Sequence, residues 1–312
     1  MRIVFAGTPE IAVPSLTAVA AAHTVVAVLT NPDKVAGRGK TPAAPPVKEE
    51  ALRLNLRVLQ PEKLDAAFRE EINSLTPELL VVFAYGRIFG PRFLACFPRG
   101  GINLHPSLLP RHRGPSPLSA AILAGDAQTG LSVQSLALRM DAGDIILQES
   151  FPLAGNETTG SLSQIAAEKG AALLVKALGL IAEGKENRVP QDEAAASYCG
   201  LVDRGQAKID WNADAGRIER MVRAFDPWPG AWTLFGESSL RIMAAEALPP
   251  SAKPEIPGTV LGVDTQRGIL VQTGEGLLAL KRLQLQAKKA MDFVSFMNGV
   301  RGFTGSVLGE YG

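Results

Sequence analysis

The stretch that most constrains the fold lies at the N-terminus. Residues 2–6 (RIVFA) form a short apolar run that stops at Gly7-Thr8-Pro9. Residues 12–22 have a helix-compatible composition, and residues 24–30 (TVVAVLT) make a second apolar, β-branched run. Strand, turn, helix, strand is how a doubly wound, mostly parallel Rossmann-like sheet begins, because two parallel strands need a crossover helix between them. Pro9 is expected to open the helix, with Thr8 as its N-cap. The first apolar run is too short for a secretory signal or a membrane span, and every later one is broken by charge, Pro or Gly. A cytoplasmic protein with no membrane contact is expected.

The alternation continues. Asn31-Pro32-Asp33 breaks the second strand, and residues 34–40 form a basic, Gly-rich loop. Short helices are expected at 47–54, 64–75 and 115–124, and strands at 57–60, Leu79–Phe83 and Gly101–His105. Residues 131–139 and 145–153 read as two antiparallel strands joined by Asp141-Ala142-Gly143-Asp144, and 161–183 as one long Ala/Leu-rich helix. From 185 to 207 the chain is polar and weakly patterned, which suits a linker. Beyond it come a helix at 213–224 and β-like runs at 231–235, 240–244, 259–263, 269–273 and Leu277–Leu285, spaced as in a small β-barrel of OB-like type. The expected domains are residues 1–185, a linker at 186–207, and residues 208–312.

Composition is compatible with two cores: 312 residues, 46% of them hydrophobic. A formal net charge of +1 excludes a protein that works by blanket basicity while leaving room for a local basic patch. Cys96 and Cys199 lie far apart, form no CxxC pair, and read as reduced cysteines with no metal site.

Gly101-Ile102-Asn103-Leu104-His105-Pro106-Ser107-Leu108-Leu109-Pro110 carries the most chemistry. Alternate side chains of a strand share a face, so Asn103 and His105 leave the same face together. They do so at a strand's carboxyl end, where open α/β sheets bind ligands. An isolated Asn-x-His also reads as a mere strand cap. The acidic turn at Asp141–Asp144 reads first as a hairpin turn, and second as the source of a carboxylate that reaches His105 and raises its pKa. No G-x-S-x-G elbow is present, so an acyl group handled by Asn, His and Asp would pass directly to an external nucleophile. Ala36-Gly37-Arg38-Gly39-Lys40-Thr41 is not a P-loop, because position 34 is Lys, and the first strand–helix turn holds Gly7 alone. Arg38 and Lys40 fit either a surface loop or one that grips a polyanion. Trp228 and Trp232 are expected to lock the helix onto the barrel. Lys281-Arg282 and Lys288-Lys289 fit a solvated face or a nucleic-acid edge.

Taken together these segments resemble the folate-dependent formyltransferase family, over nearly the full length. Asn103-Leu104-His105, Ser107-Leu108-Leu109-Pro110 and Asp141-Ala142-Gly143-Asp144 follow one another as in that family. The resemblance implies catalytic roles for Asn103, His105 and Asp141, and folate contacts from Ser107, Leu108, Leu109 and Pro110 and from Phe83, Tyr85 and Gly86. The loop carrying Arg38 and Lys40, and the later Lys208-Ile209-Asp210-Trp211, Pro227-Trp228-Pro229-Gly230-Ala231 and Lys288-Lys289-Ala290-Met291, are similar to the members that act on charged initiator tRNA. For these the resemblance implies tRNA contacts from Arg38, Lys40, Lys288 and Lys289, and the basic pair Lys281-Arg282 adds Lys281 as a candidate. Two positions depart from the family pattern: His112 stands where an aromatic is usual, and Met140 where Leu precedes the Asp.

The same resemblance implies 10-formyltetrahydrofolate as the formyl donor and the α-amine of methionyl initiator tRNA as acceptor; the sequence holds no ligand cluster for a metal, and a monomer is expected. Its rivals are a formyltransferase for glycinamide ribonucleotide or an amino sugar nucleotide, a formyl-folate hydrolase, an idle RNA-binding protein of the same fold, and a dinucleotide oxidoreductase. The segment after Lys208 weighs against a glycinamide ribonucleotide enzyme, and the missing glycines at the first turn against the oxidoreductase.

Overall fold

The computed structural model describes residues 1–36 and 41–309, which divide into two compact units. In chain order the elements up to the long helix are β1 (Arg2–Gly7), α1 (Val13–Ala22), β2 (Thr24–Leu29), β3 (Lys34–Ala36), β4 (Thr41–Ala43), α2 (Pro46–Arg53), β5 (Val58–Leu59), α3 (Ala66–Ser74), β6 (Leu79–Phe83), α4 (Pro91–Leu94), β7 (Gly101–His105), α5 (Pro117–Ala124), β8 (Gln128–Ser135), β9 (Ile145–Pro152) and α6 (Thr159–Glu183). Residues 118–127 and 153–161 belong to the second unit.

The first unit is built on a seven-stranded sheet of order β5-β2-β1-β6-β7-β8-β9. The pairs from β5 through β7 are parallel, and β8 and β9 add antiparallel strands at one edge. The chain winds outward from β1 to β2, then crosses to β6, so the strand order reverses between β1 and β6. Both faces are covered. Val4, Ala6, Leu29, Leu80 and Val82 pack with Phe68, Ile72 and Phe93 on one side. On the other, a Cβ added at Gly170 of α6 would come 2.7 Å from the Leu104 side chain, so only a glycine lets the helix lie this close to β7. Burying each such Leu or Phe contributes about 1.5–3 kcal/mol, which is what the near-continuous apolar runs supply.

The first turn differs from expectation. A 3-10 turn at Glu10–Ala12 precedes α1, and no side chain caps the helix. Thr8 instead accepts a hydrogen bond from Asn31 Nδ2 at 3.1 Å, tying the ends of β1 and β2 together. Residues 34–36, expected to be loop, pair antiparallel with residues 41–43. Arg38 and Lys40 lie outside the described residues.

Within the polar segment after α6, Val189 pairs with Ile145, a 3-10 turn forms at Glu193–Ala195, and Tyr198 pairs with Arg113. Residues to Gly200 belong to the first unit.

The second unit holds α7 (Ala215–Ala224), β10 (Trp232–Phe235), β11 (Ser238–Leu248), β12 (Val260–Asp264), β13 (Gly268–Gln272), β14 (Leu277–Leu285), β15 (Met291–Asp292) and α8 (Phe293–Gly299). Its sheet is wholly antiparallel, ordered β10-β11-β14-β13-β12 with β15 beside β14. Two register shifts in β11, between Ile242 and Ala245, act as bulges that bend the strand. Ile218 and Val222 of α7, Phe296 of α8, Trp211 and Phe303 fill its core. Asp214 caps α7 by accepting from Arg217 N at 2.8 Å. Trp211, whose Nε1 donates to Thr233 Oγ1 at 3.0 Å, does the locking expected of Trp228, which is 56% exposed.

Candidate active site

The strand period delivers Asn103 and His105 to one face of β7, at its carboxyl end. The register sets Gln134 of β8 opposite Asn103, and Ser132 opposite His105. The result is a polar row across the end of two otherwise apolar strands. Ser132 Oγ donates to the Ser107 carbonyl at 2.7 Å and accepts from Leu109 N at 3.1 Å, which anchors the loop after β7. Gln148 of β9 donates to the Leu109 carbonyl at 3.0 Å.

Asp141, distant in sequence, joins this row from the turn between β8 and β9. Its Oδ1 accepts from Gln134 Nε2 at 2.9 Å and from Asn103 Nδ2 at 3.4 Å, and its Oδ2 accepts from Gly114 N at 2.9 Å. Hydrogen bonds to a carboxylate are worth about 1.5–3 kcal/mol each, so the two short ones hold it firmly. Oδ1 also lies 3.6 Å from His105 Nδ1. The other ring nitrogen, Nε2, lies 2.9 Å from the His112 carbonyl.

His105 is buried. Burial pushes its pKa below the ordinary value, outweighing the opposing pull of Asp141 and of the His112 carbonyl. Asp141 does pull the imidazole pKa upward, as expected, but burial outweighs it and favours the neutral ring. His112 is itself buried, with φ of 57°, and its carbonyl serves as the partner of His105.

The segments expected to face folate flank this row. Val82 of β6 is in register with Asn103, so Phe83-Ala84-Tyr85-Gly86 leaves the sheet beside His105. Phe83 and Tyr85 turn into the core, where Tyr85 stacks on Phe89 with ring centroids 5.3 Å apart. What the segment presents at the edge is backbone: Ala84 and Gly86 are exposed, with φ of 52° and 80°. Ser107 and Leu109 are buried, while Leu108 and Pro110 are half-buried. Among the described residues no group of three or more His, Cys, Asp or Glu side chains could hold a metal ion, and no helix is long and apolar enough to cross a membrane.

Comparison with known proteins places the chain in a family. Residues 1–178 match the formyl transferase family, and residues 202–301 its C-terminal domain. The methionyl-tRNA formyltransferase of Treponema denticola is 46% identical over 315 residues, 97% of this chain and 98% of that protein. The methionyl-tRNA formyltransferase of Roseiflexus castenholzii is 45% identical over 312 residues, 99% of each. The chain belongs to the methionyl-tRNA formyltransferase family. Its fold is shared with an N-formyltransferase from Helicobacter canadensis, solved with folinic acid and dTDP-3-aminofucose, at a TM-score of 0.65 and 19% identity over 90% of this chain and 99% of that one.

In this methionyl-tRNA formyltransferase family member, Lys281, Lys288 and Lys289 are exposed in the second unit. Lys281 is paired with Glu246 at 2.7 Å, while Lys288 and Lys289 sit in the turn between β14 and β15. Sequence reasoning missed Gln134, Gly114, Arg113 and Gln191. A signal existed for the first, because polar Ser132 and Gln134 alternate with apolar Leu131 and Val133 in a strand that is buried on both faces.

Proposed function

We propose that the chain transfers the formyl group of 10-formyltetrahydrofolate to the α-amine of methionyl initiator tRNA, acting in the cytoplasm as a monomer. Residues 1–185 would be the catalytic domain and 208–312 the tRNA-binding domain, joined by 186–207. The observation that carries the reading is the meeting of the Asp141 carboxylate with Asn103 and His105 at the sheet edge.

A Cβ added at Gly86 would meet nothing within 4 Å, so there is room beside its backbone, which supports a folate site along this edge. The backbone of Phe83, Tyr85 and Gly86 and the loop of Ser107, Leu108, Leu109 and Pro110 would hold it. Bound there, the folate supplies an activated formyl carbon and a nitrogen that departs once protonated.

The chain's own groups do the rest. Asn103 has one long hydrogen bond to Asp141 and turns its Nδ2 to the formyl oxygen as negative charge develops there; one such donor is worth about 2.7–4 kcal/mol. His105 holds its resting proton on Nε2 against the His112 carbonyl, so Nδ1 can take up another. Asp141 receives the proton of the attacking amine, directly or through water, and passes it to Nδ1 of His105, so that the regenerated carboxylate offsets the charge of the imidazolium. That Nδ1–H then gives a second donor to the oxygen, and the proton returns to the leaving nitrogen. Holding both substrates at one edge supplies much of the remaining acceleration.

Arg38 and Lys40 would contact the acceptor end of the tRNA, and Lys281, Lys288 and Lys289 its body. Arg38→Ala is expected to slow turnover on tRNA and to leave folate binding unchanged. The decisive test is incubation with 10-formyltetrahydrofolate and charged initiator tRNA beside charged elongator tRNA, glycinamide ribonucleotide and an amino sugar nucleotide. Formylation of the initiator tRNA above all others is expected. Preference for a small amine overturns the reading, and a dimer in sedimentation overturns the monomer.

A further inference from the structure

Arg113 heads the fully buried side chains of the protein, with 0% exposure. A guanidinium so placed must be paired. It donates through Nη2 to Glu193 Oε1 at 2.9 Å, through Nη1 to Glu193 Oε2 at 3.2 Å, and through Nη1 to the Tyr198 hydroxyl at 3.1 Å. Arg139 Nη2 adds a bond to Glu193 Oε2 at 2.9 Å, and the two arginines hold the Glu193 carboxyl down to about 2.

The consequence falls on Gln191. Arg113 Nε and Nη2 donate to its Oε1 at 3.0 and 2.8 Å. A guanidinium only donates, so the amide oxygen must face it and the amide nitrogen must face away. That nitrogen donates to the carbonyl of Gly143 at 2.7 Å and of Asp141 at 2.9 Å, and lies 3.2 Å from Gln134 Oε1. Gln134 is the residue whose Nε2 holds the Asp141 carboxylate. Gln191 thus grips both the turn and the side chain that steadies it. The turn needs a grip, because Asp141 has φ of 52°, a conformation disfavoured for a residue with a Cβ.

We propose that Gln191, oriented by the buried Arg113 that the exposed Glu193 holds in place, is a positioning residue for formyl transfer that fixes the Asp141 turn so that the carboxylate stands against His105. The proposal rests on the role given to Asp141 above. It makes the stretch between the two matched family segments, 1–178 and 202–301, part of the catalytic apparatus.

The test is steady-state and single-turnover formylation by Gln191→Glu, Gln191→Ala, Arg113→Lys and Asp141→Asn, with a thermal midpoint for each. Gln191→Glu keeps the size of the side chain and an oxygen for Arg113, but turns an acceptor toward two carbonyls. It should lower kcat by about 10- to 100-fold, the cost typical of removing a group that orients a liganding side chain, with KM for formyl-folate and for tRNA unchanged. Gln191→Ala should do the same, and combined with Asp141→Asn it should be no slower than Asp141→Asn alone. A parental kcat in Gln191→Glu overturns the proposal. So does a loss that appears in KM, that follows the thermal midpoint across the variants, or that multiplies in the double variant. If Asp141→Asn itself keeps the parental rate, the role of Asp141 fails first and the proposal falls with it.

Discussion

Nδ1 of His105 lies 3.6 Å from Oδ1 of Asp141, while Nε2 of the same ring lies 2.9 Å from the carbonyl of His112. Only an N–H can face a carbonyl, so the neutral ring carries its proton on Nε2 and presents the Nδ1 lone pair toward the carboxylate. Burial keeps the ring neutral at rest, and the carboxylate is placed to accept its charge when a proton arrives.

That balance has a consequence for stability. The folded-state pKa of His105 lies below its ordinary 6.5, with burial the leading cause. The unfolded chain therefore takes the proton first, and stability falls as pH drops through the ordinary value until the folded pKa is reached, below which this group costs nothing further. Urea midpoints measured between about pH 7.5 and about pH 5.5 should decline less steeply for His105→Asn than for the parent. Parallel declines would contradict the assignment.

Gly143 is the second sensitive point of the acidic turn. A Cβ there would come 1.8 Å from the Ser135 carbonyl oxygen, a backbone atom that cannot step aside cheaply. Gly143→Ala should cost about 1–3 kcal/mol of stability by overpacking and should lower kcat more than it raises KM, because the turn that is displaced carries Asp141. Thermal unfolding and formylation kinetics measure both, and an enzyme that melts and turns over like the parent would refute this.

The three lysines of the second unit should not be equivalent. Lys281 already holds Glu246 at 2.7 Å, an exposed pair worth about 0–1 kcal/mol, whereas Lys288 and Lys289 are exposed on a turn. Removing one lysine that neutralises a phosphate should reduce the slope of log affinity against log salt by about 0.7–0.9. Lys288→Ala with Lys289→Ala should reduce that slope for tRNA more than Lys281→Ala does. Equal slopes in all three would place the tRNA elsewhere.

What could be read from the sequence was local. Asn103 and His105 declared themselves because a strand period of two puts them on one face, and because apolar runs such as Leu79–Phe83 mark buried parallel strands whatever surrounds them. Asp141 was legible through family resemblance; composition alone described it as a turn. Gln191 and Arg113 were not legible, because a polar stretch without period carries no sign of the partner it folds against, 50 residues from Asp141 for Gln191 and 78 from Gln191 for Arg113. Thr8 was misread as a helix cap because its alternative partner, Asn31, comes from the end of the neighbouring strand, 23 residues away. Trp228 was misread as packing because aromatic identity does not reveal burial, and α4 and α8 were missed because each is too short to display a period.

The most direct test of the account is single-turnover formylation of methionyl initiator tRNA by Asp141→Asn, with formyl-folate saturating and the variant's fold verified by its circular dichroism melt. The substitution keeps the shape of the side chain but removes its charge and turns a donor toward Gln134 or Gly114. A fall of about 100- to 10,000-fold with folate binding intact is the predicted result. A rate within a few-fold of the parent would contradict the claim that this carboxylate, held against His105, moves the proton of the transfer.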